Sequence, residues 1–497
     1  MIKPYRSLLL LVYVGVLLAV ALFFLPASIP LPNGYSLRFF TLESLLDTKG
    51  KQYADISDIE KKFTPAEEKA TTAKNGRVSG PKTAQADTLE SRFKIQFPAG
   101  NDTALFSFFR HLQNLRNSEE LVRALHYGDS QIEGDRITAF LRNKFQNRFG
   151  GCGVGLVPLQ DALGNRTSIQ INSDDAWKRM RAYGPDYRKK APHHYGILGS
   201  YFNFSFSYTQ TIPGDTAATD SLRRQPKYIT KKRSNIWVEY AKAPGAYARD
   251  SRFENFKLLY SNPGAPVKLN VQIRKDSIKT YELPVTTEPS VFEMPFTGNF
   301  KKIRLSFEGT QSPEFYGAAL DCNSGVVIDN MPFRGSSGTE FVRMNKETLR
   351  VQFQQLNVKF IILQYGVNVV PHVIKDYGYY EKQFYTQLKL LRELAPEASI
   401  LVVGVSDVSR KEGEVYTTYP NVEKIRDAQR NAAFKAGCAF WDLYTAMGGK
   451  DSMPSWVFAK PALANKDFTH FTPKGAQLVA EMLFKSLMYE YEQFSRK

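Results

Sequence analysis

The stretch that decides the fold is Leu121–Asp135, which reads LVRALHYGDSQIEGD. An apolar run ends in Gly-Asp-Ser and an amphipathic segment begins a few residues later, so the pattern predicts a strand, a tight turn and a helix. Ser130 stands on that turn, where we expect its hydroxyl to be exposed beside backbone N–H groups and the positive end of a helix dipole. Such a position suits the nucleophile of an acyl transfer. Gly, Asp and Ser are also common in ordinary turns. The triplet alone therefore does not distinguish a catalytic serine from a serine in a plain turn.

A second informative stretch is Lys466–Gly475, which reads KDFTHFTPKG. Thr472 as N-cap and Pro473 in the first helical position predict the start of a long final helix. His470 therefore lies in the loop before that helix, with Asp467 three residues ahead. The carboxylate can reach the far imidazole nitrogen, fix its tautomer and stabilise the imidazolium that forms during proton transfer. The alternative is a plain surface histidine, although the chain has only six histidines.

Two further apolar runs end in turns that offer hydrogen-bond donors. Gly325–Thr339 reads GVVIDNMPFRGSSGT, and Phe360–Asn368 reads FIILQYGVN. A glycine-rich turn exposes a backbone N–H, and an asparagine side chain offers an amide N–H. Together with the N–H of Ser130 they would make an oxyanion hole with three donors. Each turn alone fits an ordinary strand end, but four such pieces in this order favour a catalytic site.

These four blocks resemble the SGNH subgroup of the GDSL esterase and lipase superfamily. The resemblance covers roughly residues 97–165 and 319–497 and rests on GDSQ, SSGT, GVN and DFTH. Gln131 stands where the family name has Leu, and Val369 follows the asparagine where many relatives have Asp. The second departure concerns local geometry, since that Asp is not a triad member.

The resemblance implies a role for each matched residue. Ser130, Asp467 and His470 are the implied catalytic triad. Ser130, Gly338 and Asn368 are the implied oxyanion hole. No C-x-x-C spacing or His-Cys cluster suggests a metal site, and no cofactor is expected. The layout is most similar to bacterial cell-wall polysaccharide O-acetylesterases that carry a β-rich insert after the serine block.

The N-terminal segment predicts export. Residues 8–25 are eighteen residues without a charge, and Lys3 and Arg6 precede them. This is long enough to cross most of a bilayer and longer than the usual core of a cleavable signal peptide. We therefore expect a transmembrane signal anchor over residues 1–28, with the rest on the exported, periplasmic side. Ala27 and Ser28 leave cleavage, and a secreted or periplasmic protein, as the alternative.

Composition narrows the choice of partners. A formal net charge of +17 would attract a polyanion, and a plain solvated basic surface is the open alternative. In an exported chain this favours an envelope polymer over nucleic acid, for which no motif is present. Three cysteines, Cys152, Cys322 and Cys438, do not make a disulfide framework. Cys152 and Cys322 bracket the predicted insert, and the sequence leaves open whether they pair.

The chain divides by pattern into further segments. Residues 29–96, without a sustained apolar period from 46 onward, predict a flexible tether. Residues 97–165 and 319–497 predict the two parts of one hydrolase domain. Between them, residues 166–318 show short alternating strands between Pro, Gly and Asn turns, which predict an antiparallel, jelly-roll-like β-sandwich. If this insert binds sugar, Trp177, Tyr195 and Trp237 are the candidate aromatics, with core packing as the alternative.

From residue 319 onward the pattern is that of an α/β domain. Strands near 325–329, 358–365, 398–405 and 438–443 alternate with helices near 338–356, 377–394, 421–437 and 473–493. With the serine strand they predict a five-stranded parallel sheet covered on both faces. This agrees with the flavodoxin-like, three-layer SGNH hydrolase fold that the resemblance implies.

The sequence thus predicts a serine esterase that removes small acyl groups, acetyl above all, from a cell-envelope glycan such as peptidoglycan. Two alternatives stay open. An O-acetyltransferase would use the same triad, and would need a partner to bring the acyl donor across the membrane. A non-catalytic glycan-binding protein would be marked by a missing block, and none is missing. The glycan, the acyl group and the oligomeric state are not determined.

Overall fold

The computed structural model describes a large part of the chain in two compact units, Met1–Tyr53 and Ala54–Lys497. The residues that it describes are 4–24, 28–30, 36–38, 52–64, 89–161, 164, 166–184, 187, 194–212, 227–233, 236–274, 277–296 and 301–497.

The first unit contains helix α1 (Pro4–Phe24) and an antiparallel pair of short strands, β1 (Ser28–Pro30) and β2 (Ser36–Arg38). Helix α1 covers most of the apolar stretch in which the sequence analysis expects a membrane anchor. Among the residues described, however, the structure contains no helix that is long and apolar enough to span a membrane, so the predicted transmembrane helix is not supported.

The second unit begins with the elements that carry Ser130. In chain order they are α2 (Ser57–Phe63), a 3-10 turn (Ser91–Phe93), α3 (Phe106–Asn114), β3 (Leu121–Gly128), a 3-10 helix (Ser130–Asp135), α4 (Thr138–Phe149) and β4 (Gly155–Val157). The predicted helix after Ser130 is thus split in two. Gly134 and Asp135 both have positive φ, which interrupts the helical backbone between the turn and α4.

A β-rich segment follows β4. Its strands are β5 (Ile169–Ser173), β6 (Trp177–Arg181), β7 (Ser200–Phe204), β8 (Ser207–Ile212), β9 (Lys227–Lys232), β10 (Ile236–Lys242), β11 (Asn255–Asn262), β12 (Val267–Arg274), β13 (Ser277–Leu283), β14 (Thr286–Pro295), β15 (Lys302–Glu308) and β16 (Glu314–Asp321). One sheet has the order β13-β12-β15-β10-β5, and the other has β14-β11-β16-β7-β6 with β4 beside β16. The pairings within both sheets are antiparallel. The rings of Phe307 in β15 and Phe315 in β16 lie 5.0 Å apart, which joins the two sheets through an apolar core.

The remaining elements restore the alternation of strands and helices. They are β17 (Gly325–Pro332), a 3-10 turn (Phe341–Arg343), α5 (Lys346–Gln355), β18 (Val358–Gln364), α6 (Gly378–Leu394), β19 (Ser399–Val403), β20 (Ser409–Glu412), β21 (Val415–Thr418), α7 (Val422–Lys435), β22 (Ala439–Trp441), α8 (Leu443–Ala446), α9 (Ser452–Phe458) and α10 (Pro473–Arg496).

The central sheet has the order β17-β3-β18-β19-β22, and all its pairings are parallel. Numbered from β3, this is the flavodoxin-like order 2-1-3-4-5. The predicted α/β fold with a parallel sheet and separate antiparallel sheets is therefore confirmed. In open sheets of this kind a ligand binds beyond the carboxyl ends of the strands where the order reverses, which here lies between β3 and β18.

Alternating side chains of the central sheet enter two apolar cores. Val122 and Ala124 of β3 belong to a core that also takes side chains from α2, α3, α4 and α10. Leu125 and Tyr127 belong to a second core, shared with α5, α6, α7 and the β-rich segment. Burial on both faces explains why β3 reads as an almost continuous apolar run.

Part of the predicted flexible tether is ordered. In residues 52–64, Ile56, Ile59 and Phe63 are buried in the same core as α10, and the Phe63 ring lies 4.6 Å from that of Phe93. Their spacing makes an apolar stripe on a short helix. The residues around this stripe are mostly polar, and this composition led the sequence analysis to predict a flexible tether. The prediction was wrong for these residues.

Three buried links attach the β-rich segment to the part of the chain that carries the central parallel sheet. Cys152 and Cys322 form a disulfide, which answers the question that the sequence left open. Arg123 of β3 contacts both Asp321 of β16 and Asp329 of β17, and all three side chains are fully buried. The disulfide closes the base of the segment, and the arginine ties its last strand to the strand that carries Ser130.

Arg142 of α4 forms the third link. Its guanidinium lies 2.6 Å from Asp135 Oδ2 and 3.2 Å from Asp250 Oδ1. Asp135 follows the turn that carries Ser130, whereas Asp250 belongs to the β-rich segment. The segment is thus joined to the domain by buried charges close to the candidate site.

Candidate active site

Ser130 lies at the carboxyl end of β3, at the first position of a short 3-10 helix. The preceding Asp129 caps this helix, since its carboxylate accepts a hydrogen bond from the Gln131 N–H at 3.0 Å. Gly128 is required by close approach to β18, because a Cβ at this position would lie 2.7 Å from the Gln364 carbonyl oxygen. The strand therefore turns sharply and presents the Ser130 hydroxyl at the sheet edge.

The structure brings Ser130, His470 and Asp467 together. Ser130 Oγ lies 2.8 Å from His470 Nε2, although 340 residues separate them in the sequence. His470 Nδ1 lies 2.8 Å from Asp467 Oδ2. The imidazole thus touches the hydroxyl through one nitrogen and the carboxylate through the other, which is the arrangement that base-assisted attack by a serine needs.

The loop that carries His470 is held by its own carboxylate and by a hairpin. Asp467 Oδ1 accepts the backbone N–H groups of Thr469 and His470, each at 3.0 Å. Phe468 has a positive φ of 54°, and its ring stacks on that of Tyr416 in β21 at 3.6 Å between centroids. The β20–β21 hairpin, which the sequence analysis missed, therefore supports the loop from outside.

Electrostatics fit different roles for the acidic groups of the site. Partial burial opposes ionisation of Asp467, but hydrogen bonds from the His470 backbone and ring hold the pKa of its carboxyl below the usual value. Asp467 therefore stays charged and can stabilise an imidazolium. Burial raises the pKa of Asp129 to about 7 against the pull of the Gln131 N–H. Asp129 acts as a cap of the turn and does not contact His470 in this arrangement.

An open cleft of about 440 Å³ lies over the Ser130–His470 contact. Its walls are formed by Ser130, Glu133, Gly134, Arg136, Arg334, Gly335, Asn368, Asn465, Asp467 and His470. No large apolar side chain is among these lining residues. Such a wall suits a polar, hydroxylated group and leaves no long channel for an acyl chain.

The oxyanion candidates are only partly assembled as the sequence implied. Asn368 lines the cleft, and its side-chain amide donates one hydrogen bond to the Ser336 carbonyl at 2.9 Å, which leaves its second N–H for a ligand. Gly338 does not line the cleft. Its N–H donates to Ser336 Oγ at 2.9 Å, and a Cβ there would lie 2.7 Å from the Tyr365 ring.

The oxyanion role implied for Gly338 is therefore not supported by this geometry. Gly335, earlier in the same turn, lies at the wall instead and has a φ of 78° with open space beside its Cα. The SSGT motif matches the family's oxyanion glycine to Gly338. In the folded chain, the path of the turn places Gly335 at the cleft instead.

Two arginines and a glutamate in the cleft were missed by the sequence analysis. Arg136 donates to the backbone carbonyls of Ser130, Glu133 and Phe471 at 2.8, 2.8 and 3.2 Å, so it connects the Ser130 turn with the His470 loop. Arg334 donates to Glu133 Oε2 at 2.9 Å through Nε and forms one side of the cleft. Charged residues on a helical turn and a loop look like solvated surface in a sequence, so no signal set them apart.

The other candidate residues lie away from this cleft. Trp177 and Tyr195 are buried in the core of the β-rich segment, and the face of Trp237 is covered by the Arg304 guanidinium at 3.9 Å. In the described parts of the chain, one cluster has the spacing of metal ligands, Cys152, Glu254 and Cys322. Its two cysteines are joined in the disulfide, so it offers no thiolate pair.

Comparison with known proteins identifies part of the chain. Residues 304–478 match the model of the GDSL-like Lipase/Acylhydrolase family. The matched range contains Asn368, Asp467 and His470, and the fold adds Ser130 from the preceding part of the chain. This match over part of the chain supports a carboxylic ester hydrolase.

Three solved structures are similar to this chain to different extents. A peptidoglycan O-acetylesterase has a TM-score of 0.60 at 21% identity, over 80% of this chain and 99% of that one. The acetyl xylan esterase AlAXEase has a TM-score of 0.24 at 15% identity, over 33% of this chain and 81% of that one. A family two carbohydrate esterase from Clostridium thermocellum, in complex with cellohexaose, has a TM-score of 0.22 at 11% identity, over 50% of this chain and 91% of that one. None of the curated protein sequences matches the chain.

Proposed function

We propose that this protein is a serine esterase that removes O-acetyl groups from a cell-envelope glycan, with peptidoglycan as the first candidate. The observation that carries the proposal is the continuous contact from Asp467 through His470 to Ser130 at the floor of an open polar cleft. Ser130, His470 and Asp467 act as nucleophile, general base and orienting carboxylate.

The reaction follows from these contacts. His470 Nε2 takes the hydroxyl proton as Ser130 Oγ bonds to the ester carbonyl carbon. The negative charge on the carbonyl oxygen is stabilised by the Ser130 N–H and by the free N–H of the Asn368 side chain. His470 then returns the proton to the departing sugar oxygen, which leaves acetyl-Ser130. Water, deprotonated by His470, releases acetate and restores the serine.

Shape and charge support a small acyl group on a glycan. The cleft is lined by polar side chains and glycine. These residues can form hydrogen bonds with the hydroxyl groups of a sugar, and they offer a long acyl chain no apolar groove. The net charge of +17 favours an anionic polymer at the surface. A solved structure of similar fold, which covers 80% of this chain and 99% of its own, is a peptidoglycan O-acetylesterase, and this suggests the polymer to test first.

We also propose that the hydrolase acts outside the cytoplasm, in the cell envelope. Disulfides persist in oxidising compartments, and the Cys152–Cys322 bond joins two buried cysteines. The uncharged stretch at residues 8–25, after Lys3 and Arg6, is consistent with export. Thiol labelling of rapidly quenched cells tests this. Both cysteines should react only after reduction, and labelling without reductant would contradict the proposal.

Acetate release from O-acetylated peptidoglycan tests the esterase directly. The wild type should release acetate, and Ser130→Ala should release none. Ser495→Ala, which removes a hydroxyl of α10 outside the cleft, serves as the matched control and should behave as wild type. Hydrolysis of 4-nitrophenyl acetate, measured in parallel, separates the chemistry from the polymer.

Two outcomes would change the assignment. Cleavage of the aryl ester without acetate release from peptidoglycan would keep the triad and exclude this polymer, and acetylated glycans or acceptor-dependent transfer would then be tested. Inactivity on both substrates would contradict the esterase and favour a glycan-binding protein.

A further inference from the structure

We infer that Gln131 is a positioning residue that sets the distance between the base and the nucleophile. The inference rests on the proposed function, because it concerns the Ser130–His470 pair. Gln131 stands where the family name has leucine, and its side chain is buried with an exposure of 2%. It does not reach the cleft, so any effect on the reaction must pass through the residues that it binds.

The Gln131 side chain binds the two peptide groups that flank His470. Its Nε2 donates to the Thr469 carbonyl at 2.6 Å, and its Oε1 accepts the Phe471 N–H at 3.4 Å. Nε2 also lies 3.2 Å from Ser406 Oγ, beyond the end of β19. One amide therefore fixes the backbone immediately before and after the proposed base.

This link adds to the contacts that hold the loop through the Asp467 carboxylate and through Arg136, and it is made by the residue next to the nucleophile. The His470 side chain is 29% exposed, so burial does not fix its ring. Gln131 is the direct neighbour of Ser130, and its own N–H is held by Asp129. The chain of contacts from Asp129 through Gln131 to the histidine loop closes on the Ser130–His470 contact, so the same residue is linked to both nucleophile and base.

A leucine at this position fills similar space but neither donates nor accepts. Gln131→Leu should let the histidine loop shift, and a displacement of about 1 Å at reacting groups commonly costs about 100-fold in rate. We expect kcat for 4-nitrophenyl acetate to fall by about 10- to 100-fold with KM nearly unchanged, because the cleft wall is intact. Phosphonylation of Ser130 by a fluorophosphonate should slow by the same factor.

Gln131→Glu tests whether the hydrogen-bond donor of the side chain matters, because glutamate has nearly the same size as glutamine. The carboxylate can still accept the Phe471 N–H, but it faces the Thr469 carbonyl with no donor, so it should not restore the rate. Gln146→Leu is the matched control. Gln146 is a buried glutamine whose Nε2 donates to the Gly153 carbonyl at 3.0 Å, outside the catalytic loop. It should lose thermal stability comparably and keep kcat.

The outcomes are distinct. A folded Gln131→Leu variant with wild-type kcat, KM and pH profile would overturn the inference. A fall in kcat equal to that of Gln146→Leu would also overturn it, since both would then report a general loss of stability.

A readout without turnover separates this inference from the proposed function. The downfield proton NMR signal of His470 Nδ1–H, bonded to Asp467, should shift or broaden in Gln131→Leu and stay unchanged in Gln146→Leu. If the wild type hydrolyses no ester, the proposed function fails, yet this signal still reports whether Gln131 positions the imidazole. An unchanged signal in Gln131→Leu would overturn the inference in either case.

Discussion

The ionisation of Asp129 should make the stability of this protein depend on pH. Asp129 is buried directly before the nucleophile, and burial raises its pKa from 3.8 to about 7. Its Oδ1 accepts the Gln131 N–H at 3.0 Å, a bond that an asparagine oxygen can make equally well. Asp129→Asn therefore removes the ionisation and keeps the Gln131 cap, but its amide nitrogen cannot accept from the backbone N–H groups of Gly366 and Val367, which also face the carboxylate.

The sign follows from proton binding. Between about pH 4 and 7 the folded protein holds a proton on Asp129 that the unfolded chain has released, so the free energy of unfolding falls as pH rises. The stabilisation is fully present below about pH 4 and is lost as pH approaches about 7. A pKa raised from 3.8 to about 7 corresponds to ~4 kcal/mol, at ~1.4 kcal/mol for each tenfold change.

Guanidinium unfolding at several values between pH 4 and 8.5 measures this difference. The difference in unfolding free energy between Asp129→Asn and wild type should move in favour of the variant by several kcal/mol, at most ~4, from pH 4 to pH 8. Asp376→Asn is the matched control. Asp376 also accepts a backbone N–H two residues ahead, from Gly378 at 3.2 Å, but its side chain is exposed.

The comparison can fail clearly. A stability difference between Asp129→Asn and wild type that stays constant from pH 4 to 8.5 would show that Asp129 does not titrate in this range. The same pH dependence in Asp376→Asn would show that burial is not the cause.

Three further predictions address the links and the oxyanion hole. Arg142→Met leaves two buried aspartates without their cationic partner and should lower the free energy of unfolding by about 3–5 kcal/mol. Arg148→Met, which breaks a half-exposed pair on the same helix, should lower it by less than about 1 kcal/mol. Equal losses in guanidinium unfolding would contradict the role of the buried cluster. Replacement of both Cys152 and Cys322 by serine opens a link across 170 residues and should cost about 5 kcal/mol by loop closure, and an unchanged Tm would refute this. Asn368→Ala should lower kcat for 4-nitrophenyl acetate by about 100- to 1000-fold with little change in Tm, and a loss below about tenfold would remove Asn368 from the oxyanion hole.

Much of the fold could be predicted because its signals are local. The apolar run Leu121–Gly128 needs burial on both faces, and a strand in the middle of a parallel sheet provides it. Thr472 and Pro473 define the start of α10 through their own backbone preferences, and the Thr472 side chain caps it as expected. Strand ends that carry Gly-Asp-Ser or Gly-x-Asn meet at one edge because parallel strands share a direction.

Other features depend on partners that are distant in the chain. Residues 52–64 are ordered because Ile56, Ile59 and Phe63 pack in the same apolar core as α10. The residues next to them in the sequence do not predict this contact. Gly335 and not Gly338 faces the cleft because the turn after β17 folds back against Tyr365. The choice between the two glycines is made by packing, and packing has no sequence pattern of its own.

Local preferences along the chain specify the secondary structure of the parallel sheet and the chemistry of its edge, since strand burial, helix capping and turn formation act over a few neighbouring residues. Three contacts arise only on folding: the 2.8 Å approach of Ser130 to His470, the binding of Gln131 to both sides of the histidine, and the pairing of Cys152 with Cys322. These contacts join residues that lie between 170 and 340 positions apart. Their distances follow from how the sheet, the β-rich segment and the last loop pack together, because hydrogen bonds and disulfides form only where packing has already brought the groups within reach.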